Sequence, residues 1–355
     1  MFFTGIGTST PARRYTKAEC WNAFLESEWF ARLDRRSHAI AEAVLSRDNG
    51  ISARRLALDS LAEVFAIDPD TLQRRFATHA PALATEAAAR AMRDAGVAAR
   101  DIDGIVVSTC TGYLCPGLTS YLAESLGLRA DVQAYDLVGQ GCGAALPNLR
   151  LADALIGGGT SQHVLSVCVE VSSAAMYLDN DPGVLVSACL FADGAGAAVL
   201  SKQPMQRDRR IEWRTSGSVV EPRQRDALRF EQRGGMLRNI LTRPVPALAA
   251  EHALAVLETV LAREKLKADD ITTWVMHAGG RDVLQALRER IGLSADDLRY
   301  SAEILDEYGN MSSAFIYFVL KCALDANSPN GWWWMSAFGA GFTCHGALLA
   351  VSAGE

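Results

Sequence analysis

Hydrophobic and polar positions follow two different periods along the chain. Between residues 16 and 100 apolar residues recur at helical spacing, and "APALATEAAARAMRDAGV" predicts an amphipathic helix that stops at Gly96. Beyond it, short β-branched runs such as "IDGIVVSTCTG" alternate with helical segments, which predicts an α/β fold with a largely parallel sheet. The further predicted elements of this part are the strands "VQAYDLV", "SQHVLSVCVEV" and "GAGAAVLS" and the helices "TSYLAESLGL" and "LPNLRLADALIGG".

The alternation of strands and helices is interrupted by a charge-rich segment, residues 202–228, and then resumes. We place the boundary between an N-terminal half, 1–205, and a C-terminal half, 206–355, at this segment. The runs "GIVVSTCTG" and "TWVMHAGG" read as one element used twice, because each is a strand that ends in polar residues and glycine after an Ala-rich helix. Each half is therefore predicted to be a copy of one α/β unit.

Composition and charge exclude several classes of protein. The net charge of −6 and the pI near 5.6 give no basic surface for nucleic acid. The N-terminus lacks the pattern of a signal peptide and no run of about 18 apolar residues occurs, so we expect a cytoplasmic protein without an integral membrane segment. Eight cysteines without CxxC pairs indicate reduced thiols, and no cluster has the spacing of a metal site.

One cysteine has an unusual setting. Cys142 lies between Gly141 and Gly143, where a strand-like run turns into a helical pattern. A helix start favours an anion and lowers the pKa of a thiol from about 8.5, so a reactive nucleophile is one interpretation. A buried cysteine in a seam of small residues is the other, and the spacing alone leaves both open.

A thiolate nucleophile needs a base or a cation nearby. His277 closes the apolar strand "TWVM" before glycines, at the end of a strand where open α/β sheets bind ligands. Asn310, in "EYGNMSSA", fits either a helix N-cap or a hydrogen-bond donor to a developing oxyanion. His345 lies inside a terminal strand and is predicted to belong to the core. Cys142, His277 and Asn310 share one topology, the end of a strand-like element before glycine or a helix.

Two glycine-rich runs also have structural interpretations. "CLFADGAGAAVL" predicts a turn at Asp193 and Gly194 before a closely packed strand, with Phe191 in the core. "GQGCG" does not match the G-x-G-x-x-G fingerprint, which excludes a nicotinamide-binding interpretation.

Four stretches taken together resemble the type III polyketide synthase family, the chalcone synthase relatives within the thiolase superfamily. They are "GQGCGAALPNLRLADAL", "CLFADGAGAAVL", "MHAGGRDVL" and "EYGNMSSA". The similarity is greatest to the bacterial synthases of alkylresorcinols and alkylpyrones, through "CTGYLCPGLTSY". The resemblance implies a thiolase-like α/β fold, in which two similar halves give a five-layer αβαβα arrangement, and a homodimer.

The resemblance also implies roles for particular residues. Cys142 is the expected nucleophile, His277 and Asn310 are its partners, and Phe191 is a gatekeeper between a CoA tunnel and the reaction cavity. The second gatekeeper phenylalanine of the plant enzymes falls near residues 237–239, where this chain has no aromatic residue. The expected cavity residues are Phe191, Cys115, Gly143, Ala174, Ala175 and Ser312, and the expected CoA-binding residues are Arg35, Arg36, Arg47, Gly279 and Gly280.

The expected function is a sequence of acyl transfers. A medium or long acyl group from CoA, or from an acyl carrier protein, loads onto Cys142, is extended with malonyl-CoA and cyclises to a pyrone or a resorcinol. CoA thioesters are substrates, and the chemistry needs neither a metal nor a redox cofactor. A ketoacyl synthase III-like enzyme that performs one condensation, and a catalytically silent partner subunit of a condensing enzyme, are the alternatives.

Overall fold

A computed structural model describes residues 1–46, 48–206 and 208–354. Nine strands form the main sheet, in the order β11-β12-β13-β8-β1-β7-β6-β4-β5, and two strand pairs, β9 with β10 and β2 with β3, lie apart from it. The strands of the described residues are β1 (Phe2–Ser9), β2 (Arg14–Thr16), β3 (Ala53–Arg55), β4 (Gly104–Ser108), β5 (Gln133–Leu137), β6 (His163–Val171), β7 (Asp193–Ser201), β8 (Arg209–Arg225), β9 (Leu228–Arg233), β10 (Met236–Leu241), β11 (Ile271–Met276), β12 (Gly331–Gly339) and β13 (Gly341–Ala353).

Helices alternate with these strands through most of the chain, as the hydrophobic pattern predicts. The α-helices of the described residues are α1 (Lys17–Leu25), α2 (Glu28–Arg32), α3 (Arg35–Ser46), α4 (Pro69–Ala95), α5 (Leu118–Leu126), α6 (Ala145–Gly157), α7 (Pro182–Leu190), α8 (Val245–Glu264), α9 (Arg281–Ile291), α10 (Arg299–Tyr308) and α11 (Phe315–Asp325).

The long helix α4 shows how local sequence fixes an element and its packing. Asp68 caps its start by accepting a hydrogen bond from the backbone N–H of Thr71, and the helix stops at Gly96, whose φ of 63° is left-handed. Its alanine-rich face lies directly on β1, where a side chain at Gly5 would have its Cβ 2.1 Å from the carbonyl oxygen of Ala91. Small residues on both surfaces therefore allow the backbones to approach closely.

The layers of the molecule are those of the thiolase-like fold. α4 covers β1, β6 and β7, and α8 covers β8 and β13 on the opposite side. Between them α6 and α11 contact strands of both halves of the main sheet. The layers are α4, the strands of the N-terminal half, α6 with α11, the strands of the C-terminal half, and α8. This is the expected five-layer αβαβα arrangement, in which the two halves of the main sheet form the two β layers.

The two halves repeat one series of elements. α4 is followed by a 3-10 turn, Ala99–Asp101, and by β4, and α8 is followed by the turn Ala268–Asp270 and by β11. α8 has the length and composition of a membrane-crossing helix, but its buried residues pack on the sheet, which accounts for its apolar composition. The predicted boundary between residues 205 and 206 stays a prediction.

The expectation of a largely parallel sheet is wrong. Only the pairs β4–β5, β4–β6 and β11–β12 are parallel in the main sheet of the described residues, and the other five pairs are antiparallel. The charge-rich segment accounts for part of the difference, because it contains β8, a 17-residue strand that pairs with both β13 and β1. Because many of its polar side chains are exposed, the hydrophobic pattern did not predict this strand, which joins the two halves of the sheet.

Candidate active site

Cys142 lies in a tight turn that is held between glycines. The turn is a 3-10 segment, Gly141–Gly143, immediately before α6, and Gly141 has a left-handed φ of 55°. The backbone of β12 packs against it, since a Cβ at Gly339 would lie 2.3 Å from the carbonyl oxygen of Gln140 and 2.5 Å from the amide nitrogen of Gly143. The sulfur position is therefore set by backbone packing and not only by side-chain contacts.

Ser312 and Asn310 connect the cysteine to a second loop. The Oγ atom of Ser312 donates a hydrogen bond to the Sγ atom of Cys142 over 3.2 Å. Asn310 accepts a hydrogen bond from the backbone N–H of Ser312 at 2.8 Å, and its Nδ2 atom donates to the carbonyl oxygen of Gly279 at 3.1 Å. Asn310 thus binds the backbone just before the 3-10 turn Ser312–Ala314, whose N-cap residue is Met311, and it also ties that turn to the loop that follows His277.

His277 is the third predicted residue and is almost fully buried, with 1% of its surface exposed. Its ring packs against Phe315 and Phe338 with centroid distances of 5.3 Å to each, and neither ring nitrogen has a hydrogen-bond partner within the described residues. Phe338 links the two groups, because its backbone also packs against Gly143. The fold therefore brings the loops of Cys142, His277 and Asn310 together and leaves the imidazole nitrogens available to a ligand.

Burial decides the charge of both groups. It raises the pKa of the Cys142 thiol to about 12 and lowers the pKa of His277 to about 3. Desolvation is the largest cause of the raised pKa of the thiol, and the hydrogen bond from Ser312 acts in the opposite direction. A lowering of this pKa by the helix start stays a prediction. Burial therefore favours the neutral thiol and the neutral imidazole in this structure.

A buried carboxyl group behind the cysteine escaped the sequence analysis. Glu170 accepts hydrogen bonds from the backbone N–H of Cys110 at 3.0 Å and from the hydroxyls of Thr111 and Ser313, and burial raises its pKa. The sulfur of Cys110 lies 3.3 Å from Glu170 and 3.4 Å from the Oγ atom of Ser312, which completes a chain of contacts to the nucleophile. The signal in the sequence was a glutamate inside the apolar strand "VLSVCVEV".

Two cavities adjoin this centre. The smaller has a volume of about 20 Å³ and is lined by Phe191, Ala175 and Ser312 among others. The larger has a volume of about 380 Å³ and is lined in part by Ala174 and Cys110. Phe230, on β9, and Thr111 line both cavities, so Phe230 is the aromatic residue at the partition between them. Phe230 pairs with Asn239 across the β9–β10 hairpin. Asn239 is one of residues 237–239, where the sequence has no aromatic residue.

Two of the expected cavity residues line neither cavity. Cys115 is exposed at the surface of the single chain, and its expected place in a cavity stays a prediction. Gly143 lines neither cavity, and a Cβ there would lie 3.2 Å from the backbone of β12 and 3.3 Å from the ring of His345. His345 is buried and its Nδ1 atom lies 2.6 Å from the hydroxyl of Ser218, so its predicted place in the core is confirmed.

The expected CoA-binding residues are not gathered at one place. Arg35 and Arg36 are exposed at the start of α3, beside Asn180 and the start of α7, whereas Phe191 follows the other end of α7. Arg47 lies outside the described residues. The two glycines are close to the site, because Gly279 accepts a hydrogen bond from Asn310 and a Cβ at Gly280 would lie 3.5 Å from Leu190, the residue before Phe191.

A thiolase-like fold with a cysteine at a helix start, joined to a histidine and an asparagine at neighbouring loops, defines a class of acyltransferases that act on thioesters. The family follows from two matches. Residues 13–216 match the model of the FAE1/type III polyketide synthase-like proteins, and residues 221–352 match the C-terminal domain of the chalcone and stilbene synthases. The chain belongs to the type III polyketide synthase family, whose members condense acyl-CoA with malonyl-CoA.

Solved structures share the fold over nearly the whole chain. The polyketide synthase PKS-I of the brown alga Ectocarpus siliculosus is 24% identical, with a TM-score of 0.89 over 98% of this chain and 97% of that one. The C-terminal type III polyketide synthase domain of Steely1 from Dictyostelium is 26% identical, with a TM-score of 0.87 over 98% of each chain. The 1,3,6,8-tetrahydroxynaphthalene synthase of Streptomyces coelicolor is 22% identical, with a TM-score of 0.86 over 99% of each chain.

Proposed function

We propose that this synthase loads a medium or long acyl group from CoA onto Cys142, extends it with malonyl-CoA and cyclises the product to a pyrone or a resorcinol. The observation that supports the proposal is the hydrogen bond from Ser312 to Cys142, together with Asn310, which binds the backbone of Ser312, and the unpartnered ring of His277 on a neighbouring loop. These groups supply a nucleophile, hydrogen-bond donors and a proton acceptor in a buried place.

Loading begins with the proton of the thiol. His277 takes the proton of Cys142, and the thiolate attacks the carbonyl carbon of the acyl-CoA thioester. The C–S bond to CoA then breaks, and the CoA thiolate takes a proton from the imidazolium. The neutral imidazole that remains matches the lowered pKa of His277.

Extension uses the hydrogen-bond donors of the same site. Malonyl-CoA loses CO₂, and the electron pair of the broken C–C bond becomes an enolate on the thioester oxygen. A proton on the His277 ring and the second N–H of the Asn310 amide, whose first N–H binds Gly279, stabilise this oxyanion. The enolate carbon attacks the Cys142 thioester and releases the thiolate. These steps use CoA thioesters as substrates and call for no metal or redox cofactor.

The larger cavity supports an aliphatic starter. Its volume of about 380 Å³ is within the range of small-molecule sites, about 300–1,000 Å³. The walls include Leu72, Phe76, Met236 and Leu237, which suit a methylene chain. Ala174 leaves space on the same wall.

A second copy of the chain suits the exposed edge of the main sheet. β5 is the terminal strand of that sheet, and Tyr135 on it and Val138 directly after it are exposed, at 38% and 62%. An uncovered strand edge with apolar neighbours is an interaction surface. We therefore propose that two copies of the chain form a homodimer through β5. We also propose that the protein works in the cytoplasm. An acyl carrier protein is an alternative donor of the starter acyl group.

A series of starters tests the proposed function. Each buried CH₂ group contributes about 0.8 kcal/mol, so kcat/KM for straight-chain acyl-CoA esters is expected to rise about fourfold per CH₂ until the cavity is full. Ala174→Phe is expected to move the optimum to shorter chains. A flat series, or a preference for benzoyl-CoA, contradicts the aliphatic starter, and a product of one condensation supports the ketoacyl synthase alternative.

A further inference from the structure

Two buried polar atoms of the smaller cavity have no hydrogen-bond partner within the described residues. They are the Oδ1 atom of Asn239, on β10, and the Oγ atom of Ser172, and each residue is 7% exposed. Both residues line the cavity beside Phe191. Since buried polar groups in proteins are normally paired, the two atoms indicate a partner that binds between them.

Two other polar residues of this cavity are already engaged. Ser312 donates its hydroxyl proton to the sulfur of the nucleophile, and Thr111 donates to Glu170 at 2.9 Å. Among the described residues that line this cavity, Asn239 and Ser172 are the two whose buried polar atoms lack a partner. Asn239 offers an amide oxygen that accepts a hydrogen bond, and Ser172 offers a hydroxyl that donates one.

The dimensions of the cavity restrict the partner. A volume of about 20 Å³ holds a group the size of one water molecule and excludes a chain. The larger cavity lies on the other side of Phe230, which is paired directly with Asn239 across the β9–β10 hairpin. A chain in the larger cavity can therefore present one oxygen-bearing group to the smaller cavity at this partition.

We propose that Asn239 and Ser172 form a subsite for the β-oxygen of an extended, β-ketoacyl intermediate. In its enol form this oxygen donates its proton to the Oδ1 atom of Asn239 and accepts a hydrogen bond from Ser172. A saturated starter carries no oxygen at that carbon, so the subsite selects extended chains over unextended ones. The inference rests on the proposed function, because it concerns an intermediate of that reaction.

The test compares two rates in the same variants. Loading is followed as acylation of Cys142 by decanoyl-CoA in intact-protein mass spectra, and extension as conversion of 3-oxododecanoyl-CoA with malonyl-CoA into longer products. Asn239→Leu is expected to lower the ratio of extension to loading about fivefold, and Ser172→Ala about threefold, the scale of one neutral hydrogen bond. Asn239→Asp keeps an acceptor oxygen and is expected to restore the ratio. Ile240→Leu, the neighbour that lines neither cavity, is the matched control.

Three results would overturn the inference. Equal losses in both rates would mean that the two groups bind the amide-bearing arm of CoA. An unchanged ratio in both Asn239→Leu and Ser172→Ala would mean that an ordered water pairs the two atoms. If circular dichroism shows that Asn239→Leu does not fold, the ratio of extension to loading in Ser172→Ala decides whether the subsite exists. A wild-type protein that forms no acyl-enzyme overturns the proposed function and this inference with it, and that outcome is recognised before any variant is compared.

Discussion

The turn that carries Cys142 and the hairpin of β9 and β10 are attached to the protein in different ways. The turn is fixed by backbone packing, since Gly339 of the main sheet leaves no room for a side chain against it. The hairpin lies outside the main sheet, and Arg238 binds it to the body through Asp179, at 2.9 Å, and Asp181, at 3.2 Å. The end of the hairpin is also held by backbone packing, since a Cβ at Gly183 of α7 would lie 2.1 Å from the carbonyl oxygen of Leu241. The cavity wall therefore adds ion pairs to its backbone packing, whereas the turn of Cys142 lies against a strand of the main sheet.

This difference assigns separate roles to the two regions. The rigid turn holds groups that every condensation needs, and the hairpin contributes Phe230 and Asn239, which shape the space around the acyl chain. Substitutions in the turn are expected to change rates for all substrates. Substitutions in the hairpin are expected to change which substrates and products are favoured.

The largest expected effect concerns the donors to the oxyanion. Asn310→Ala and His277→Ala are expected to lower malonyl-CoA decarboxylation by roughly two orders of magnitude, the scale for removing one such donor. Decarboxylation is measured as release of CO₂ from labelled malonyl-CoA. Asn310→Asp is the matched control, because it keeps the cap on the N–H of Ser312 and removes the N–H donors. Activity retained in Asn310→Asp would show that the residue is only a cap.

A backbone substitution tests the rigid support directly. Gly339→Ala would place a Cβ 2.3 Å from the carbonyl oxygen of Gln140, so the turn of Cys142 must move. We expect a loss of about tenfold in kcat for every starter, because small displacements of reacting groups are costly. Gly157→Ala is the control, since its Cβ meets no atom within 4 Å. Equal activity of the two variants would show that the turn does not depend on this packing.

The ion pairs of the hairpin predict a smaller and more selective effect. Arg238→Gln removes the charge that holds Asp179, Asp181 and Glu231, so the wall formed by the hairpin loosens. Decarboxylation is expected to change less than threefold, while the preferred starter length shifts. High salt is expected to shift the wild type in the same direction, because it screens such pairs. An equal loss for all starters would contradict the separation of roles.

The remaining prediction concerns stability as a function of pH, measured apart from activity. The pKa of His277 is about 3 in the fold and about 6.5 in an unfolded chain, so below pH 6.5 only the unfolded chain takes up this proton. Stability is therefore lost as the pH falls from about 6.5 towards 3, by at most about 1.4 kcal/mol per pH unit for this group. His277→Phe is expected to flatten the urea-unfolding free energy over that range. Parallel curves for the two proteins would contradict the burial of a neutral imidazole.

Much of the rigid region was predictable from sequence. Cys142, His277 and Asn310 all follow a change of hydrophobic period, and glycines mark the places where backbones meet. Glu170 was missed because its partners, such as Thr111 and Ser313, come from other elements and are visible only in the fold.

The residues of the cavity wall were harder to predict. Phe230 follows a charge-rich segment, and its position at the partition depends on the pairing of β9 with β10, which no periodicity reveals. Cys115 was expected in the cavity from its place in a motif, and its exposure in the single chain could not be predicted from that motif. The sequence therefore indicates which loops carry the reactive residues, whereas the pairing of strands decides which side chains line the cavities beside them.

The central claim is that Cys142 is the residue that carries the acyl chain. The most direct test is to incubate the protein with decanoyl-CoA, stop the reaction with acid, digest it and locate the added acyl mass among the eight cysteines. The account predicts one acyl group, on Cys142, and none on the Cys142→Ala variant. An acyl group on Cys110 or on the exposed Cys115, with Cys142 unmodified, would contradict it.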